Sequence, residues 1–200
     1  MDFKDYFSTQ AKEYSKHRPK YPPELFEYLA SLVREHKTAW DSATGSGQAA
    51  QGLAQYFDKV IATDASAFQI AHSHPHKNVE YRVAVSENSG IEDSSVNLTT
   101  VATAIHWLNT EKFYREVKRV SKPGAIIAIW TYAESEIDKE IDPIIKHYSK
   151  RIIGEHWPPE NKKAWNFEEL TDFPFESFAN PDFKIEIRWD LKEFLSYLYT

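Results

Sequence analysis

The chain has 200 residues, no cysteine and a formal net charge of −6. Disulfide frameworks and thiolate metal sites are therefore excluded, and a nucleic-acid surface is not expected. Met1-Asp2-Phe3-Lys4-Asp5-Tyr6 carries no leader-like apolar stretch, and no run approaches the roughly 18–20 apolar residues of a membrane span, so one cytoplasmic domain is expected. The aromatic share, 14%, is high enough that part of it is expected to line a pocket.

Residues 3–21 are polar and aromatic and precede the first strand pattern; a short helix over Asp5–Tyr14 and then a proline-broken turn are predicted, forming a cap over 1–37. Pro22-Pro23 opens a helix whose face carries Leu25, Phe26, Leu29, Leu32 and Val33. From there strands alternate with helices. The predicted strands are Thr38–Asp41, Lys59–Thr63 closing on Asp64, Val79–Val83, Val96–Ala102 and Ala125–Trp130. The predicted helices between them are Gln48–Phe57, Ala67–His72 and Thr110–Val120, the last stopped by Lys122-Pro123-Gly124. Such alternation, with near-continuous apolar runs, predicts an α/β fold with a parallel sheet over 38–132. Beyond Tyr132 an amphipathic helix is expected over Ile137–Ile153. An aromatic substrate-side insertion completes 133–182, with Trp157, Trp165, Phe167, Phe173, Phe175 and Phe178 as a lid or a packed loop. A sixth strand, Phe183–Trp189, and a helix, Leu191–Tyr199, close the chain.

The chemistry concentrates at Trp40-Asp41-Ser42-Ala43-Thr44-Gly45-Ser46-Gly47-Gln48. Strand, small-residue turn and helix open a nucleotide-binding βα unit, and the small residues let a ligand approach the backbone. Asp41 precedes the glycines, where a carboxylate suits an ammonium group better than a pyrophosphate. Asp64 ends the second strand, about 20 residues beyond the loop, where an acid accepts ribose hydroxyls. A ligand with a ribose and a free amino acid fits both acids. NAD remains the alternative, since Gly45-Ser46-Gly47-Gln48-Ala49-Ala50 also has dinucleotide spacing. His72, His74 and His76 alternate without a nearby carboxylate and read as a solvated loop rather than a metal site. Asp138, Glu140 and Asp142 read as a solvated helix face.

On these motifs the sequence resembles the class I S-adenosylmethionine-dependent methyltransferases, in particular the type 11 group. Phe7, Ala11, Tyr14, Arg18-Pro19 and Tyr21-Pro22 resemble its entry segment; Asp41 to Gly47 resembles its first motif, with Ala43 in place of a glycine. Ile61 to Ser66 resembles its second motif, and Ala84-Val85-Ser86-Glu87 its adenine-side turn, with Val85 in place of an acid. Ala104-Ile105-His106-Trp107 and Val120-Ser121-Lys122-Pro123-Gly124 match the exit from its fourth strand and the turn before its fifth. The resemblance implies a three-layer αβα Rossmann-like fold, S-adenosylmethionine as cofactor, S-adenosylhomocysteine as product and a small-molecule methyl acceptor.

It further implies that Asp41, Ala43, Thr44, Gly45 and Gly47 hold the methionine end, with Tyr14 and Arg18 covering its carboxylate. Asp64 and Ala65 would meet the ribose and adenine, Ser86 and Glu87 would bound the base, and Trp107 would stand where cofactor meets acceptor. His106 is the candidate base, on an ordinary pKa near neutrality; a structural histidine at the strand end is the other reading. The fold implied has a seventh, antiparallel strand between the fifth and sixth, and no candidate for it follows Trp189. A truncated chain, an exposed fifth-strand edge and dimerisation there are the expectations. A methyltransferase-like binding protein without turnover is the remaining alternative.

Overall fold

The computed structural model describes residues 18–132, 135–156, 173–178 and 181–198. The predicted Asp5–Tyr14 helix, Tyr14 itself, and Trp157, Trp165 and Phe167 lie outside them. In chain order the elements are α1 (Pro23–Ser31), β1 (Thr38–Ser42), α2 (Gln48–Leu53), β2 (Lys59–Asp64), α3 (Ala67–Ala71) and β3 (Val79–Val83). There follow β4 (Val96–Ala102), a 3-10 turn (Ile105–Trp107), α4 (Thr110–Val120), β5 (Ser121–Trp130), α5 (Asp142–His147) and α6 (Leu191–Leu198). The strands form one sheet in the order β3-β2-β1-β4-β5, every neighbouring pair parallel.

Both faces of the central strands are covered, as their apolar runs require. Ala39, Val60, Ala62 and Leu98 face α1 and α2 through Leu25, Phe26, Leu29 and Leu53. Trp40, Ile61 and Val101 face α4 through Phe113, Val117 and Val120. The Trp40 indole N–H donates to the Thr63 hydroxyl (2.8 Å), which satisfies the indole nitrogen within that interior. The result is the three-layer αβα fold. No helix among the described residues is long and apolar enough to cross a membrane.

Four departures from the predicted elements have local reasons. Helix α2 stops at Leu53 instead of Phe57. Gly52, a poor helix former, is where the Phe26 ring presses onto the α2 backbone; a Cβ there would lie 2.5 Å from Phe26 Cδ2. β5 starts at Ser121, four residues early, and takes in Pro123 and Gly124. Among the described residues its outer side pairs with no strand, so a missing N–H is tolerated, and a register shift opposite Val96 and Leu98 absorbs the irregularity. Helix α5 begins only at Asp142, because Pro143 fits a first turn but not a helix interior. Ahead of it the exposed acids fold the turn: Asp138 accepts the Glu140 and Ile141 N–H groups, and Asp142 that of Ile137. Finally, Phe183–Trp189 is not a strand. A ladder needs a neighbour, and no described strand lies beyond β5 to provide one. The segment instead packs by Phe183 against Tyr28 of α1, rings 5.7 Å apart.

Candidate active site

In a sheet of this order successive strands are added to one side up to β3 and to the other from β4, so the winding switches between β1 and β4, and the crevice outside their carboxyl ends is where such sheets bind ligands. Residues 18–22 cross that end. Gln48 donates to the Pro19 carbonyl (2.7 Å), Tyr21 and Thr103 share a hydroxyl–hydroxyl bond (3.1 Å), and Arg18 Nη1 donates to the Tyr132 hydroxyl (2.6 Å). The strap thus touches the start of α2 and the exits of β4 and β5. Arg18 lies at the β5 side, with its guanidinium 5.5 Å from the Tyr197 ring centre.

Asp41 pairs in register with Ala62, and Asp64 lies two residues further along the same neighbouring strand. Alternation along a strand therefore puts both carboxylates on the α2 face. They share one loop but differ in setting. Asp41 is 0% exposed. Its oxygens accept the Thr44 hydroxyl (2.5 Å) and the Thr100 hydroxyl (2.8 Å). Burial pushes its carboxyl up to about 6, against the hydroxyl bonds, with a further small push from Asp64. Asp64 is half-buried and accepts the Gly45 and Ser66 N–H groups, each at 2.8 Å.

Between them the loop is held in left-handed conformations at Ala43 (φ 53°), Gly45 (φ 56°) and Gly47 (φ 86°). A Cβ on Gly45 would meet nothing within 4 Å, so the loop borders open space there. A Cβ on Gly47 would run into the Tyr81 ring, 2.8 Å from its Cε1. Ala43 does carry a Cβ in the left-handed region, and it packs against the α4-side core.

Ala65 is half-buried just beyond Asp64. Ser86 is buried, its hydroxyl accepting that of Ser42 at the end of β1 (2.7 Å), and the Glu87 carboxylate accepts the Asn109 N–H at the start of α4 (2.8 Å). His106 and Trp107 form the 3-10 turn after β4, rings 4.9 Å apart. The expected near-neutral pKa of His106 is corrected: burial among these rings pushes it down to about 4, so the imidazole is neutral and weakly basic. At the end of β5 the Trp130 indole nitrogen is buried and finds no hydrogen-bond partner among the described residues. Phe175 is expected in a lid or a packed loop. It packs with Phe173 against Tyr114 of α4 and rims a hollow of about 320 Å³ beside Ser121–Ile127, away from the strand exits. Among the described residues no group of His, Asp and Glu has a metal-binding arrangement.

Sequence reasoning missed Thr100, Ser42 and Thr103, whose roles arise from strand register across the sheet. It also missed Glu116, a buried carboxylate on α4 that accepts both the N–H and the hydroxyl of Ser89.

Sheet order and layers define a Rossmann-like α/β domain. A family model described as a methyltransferase domain matches residues 40–129. A candidate methyltransferase of Dictyostelium discoideum is 38% identical over 80% of this chain. A solved structure, of a candidate type II methyltransferase from Anaeromyxobacter dehalogenans, is 36% identical and superposes with a TM-score of 0.85 over 92% of this chain and 78% of its own. A methyltransferase structure from Aquifex aeolicus, 23% identical with a TM-score of 0.60 over 83% of this chain and 86% of its own, shares the fold. The chain belongs to the class I methyltransferase domain family, type 11 group. It spans 62% of the length of the Dictyostelium relative and 54% of that of an uncharacterised Schizosaccharomyces pombe methyltransferase, 29% identical over 66% of this chain.

Proposed function

We propose that this chain transfers a methyl group from S-adenosylmethionine to a small-molecule acceptor by in-line displacement. One observation carries the reading: two carboxylates on one sheet face bracket a small-residue loop that borders open space, at the switch point of the sheet. The polar groups fit such a cofactor. Asp64, partly exposed, is placed to take ribose hydroxyls while it keeps the Gly45 N–H. Ala65, Ser86 and Glu87 border the base. Asp41 works from behind, holding Thr44 and lending negative charge to the site of an ammonium group. Arg18 and Tyr21 lie on the strap that closes the crevice and keeps water out.

When bound, the cofactor supplies a methyl group on a sulfonium that needs no assistance to leave. The protein's task is then positioning and exclusion of water. A neutral His106 can accept a hydrogen bond from an acceptor hydroxyl, but with a pKa of about 4 it is a poor base for removing that proton. Carboxylate acceptors, which need no base, fit this setting best.

Isothermal titration with S-adenosylmethionine and S-adenosylhomocysteine tests the reading, followed by transfer of labelled methyl to a panel of small acids, phenols and amines. Micromolar binding and labelled product are expected. Folded protein that binds neither ligand refutes the proposal. Binding without transfer to any acceptor favours a methyltransferase-like binding protein.

A further inference from the structure

Between β3 and β4 the chain passes β2 and β1 without forming a helix. Parallel crossovers usually contain a helix, which satisfies its own backbone. This one, residues 84–95, must find its partners elsewhere. It finds them mainly on α4. Val85 and Asn88 close a tight bridge, and Glu87 holds the Asn109 N–H. Then Glu116 Oε1 takes both the Ser89 N–H (2.8 Å) and the Ser89 hydroxyl (2.6 Å). Glu116 is only 7% exposed. Arg119 fixes it from the other side, Nε to Oε2 at 2.8 Å and Nη2 to Oε1 at 2.7 Å, and also pairs with Asp93 in the same crossover. Burial on its own would push the Glu116 carboxyl up; the bonds from Arg119 and Ser89 outweigh it and hold it at about 2, so the clamp stays ionised.

The turn this clamp anchors has few side-chain groups left for a ligand. Val85 is an aliphatic residue, 44% exposed. The Ser86 hydroxyl is engaged by Ser42 and the Glu87 carboxylate by Asn109. A purine edge meeting this turn would be read chiefly by main-chain N–H and C=O groups, whose selectivity depends on where the turn is held. We infer that Glu116, acting through Ser89, is a positioning residue that sets turn 85–88 and with it the preference for adenine over other purines; this rests on the cofactor reading above.

The test is titration of wild type, Glu116→Gln, Ser89→Ala and Glu111→Gln with S-adenosylhomocysteine and with S-inosylhomocysteine, which carries hypoxanthine in place of adenine. All are measured well below each protein's melting temperature. Wild type should prefer adenine, because hypoxanthine reverses the donor and acceptor at that edge. Glu116→Gln should lose about tenfold in S-adenosylhomocysteine affinity, the scale of one charge-assisted hydrogen bond, and most of the preference. Ser89→Ala should move the same way by less, and it carries the test if Glu116→Gln does not fold. Glu111, in an exposed pair with Arg115 on the same helix, is the control and should change nothing. A lowered melting temperature with the base preference intact overturns the inference, as does a wild type without preference. Wild type that binds neither ligand sinks the cofactor reading itself, a separate failure.

Discussion

Asp41 and Asp64 end neighbouring parallel strands, face the same side of the sheet and hold the same loop, yet they live in different solvents. Asp41 is sealed beneath α2 and held by two hydroxyls and the Ala50 N–H; Asp64 is partly open and accepts two main-chain N–H groups. The first is raised to about 6 because these bonds compensate only part of its lost hydration. The lesson is that one residue type can fix a loop or meet a ligand, and that depth in the sheet decides which.

The largest effect should come from the exposed member. Asp64→Ala removes the proposed ribose contacts and releases the Gly45 N–H, so S-adenosylhomocysteine affinity should fall roughly 100-fold by titration. A loss of only severalfold would make the two acids alike. Asp41→Asn comes next, in stability. The gap between about 6 and the ordinary 3.8 corresponds to about 3 kcal/mol. Well below pH 3.8 the carboxyl is protonated in both folded and unfolded chains and costs nothing. From pH 4 to 6 only the unfolded chain releases its proton, so wild-type stability falls, and above 6 the loss is complete. Denaturant unfolding should therefore show Asp41→Asn more stable by about 3 kcal/mol at pH 7, with the gap nearly closed by pH 4.

His106 acts in the opposite sense over nearly the same range. Its pKa is lowered to about 4, so above pH 6.5 it is neutral in both folded and unfolded chains and costs nothing, and as pH falls toward 4 only the unfolded chain takes up its proton and wild-type stability falls. His106→Gln should remove this part of the pH dependence in the same unfolding measurement. Ala43→Gly is smaller: relief of a left-handed alanine should add about 1 kcal/mol to stability. Smallest of all, Asp58→Asn breaks an exposed pair with Lys37 and should leave the melting temperature unchanged.

Local patterns carried most of the fold. Val79–Val83, Val96–Ala102 and Thr110–Val120 fall where apolar period and stop signals place them, because each depends on its own residues. What escaped depends on residues far apart in the chain. Nothing near Asp41 indicates that Thr100 will stand opposite it, and nothing near Ser89 points to Glu116. The buried environment of His106 is likewise a product of packing. The Phe183–Trp189 alternation is genuine, but a pattern cannot supply the neighbour that a ladder requires.

The β1–β4 pairing has a kinetic consequence. Each half of the sheet joins strands close in sequence, but this seam joins Asp41 to Thr100 across a separation of 59 residues. Closing so long a loop delays the contact, so the two halves should zip separately and meet late. Trp40, enclosed at that seam beside Phe113, is a natural fluorescent reporter of the final collapse, and a ligand lying across the join would slow its reopening.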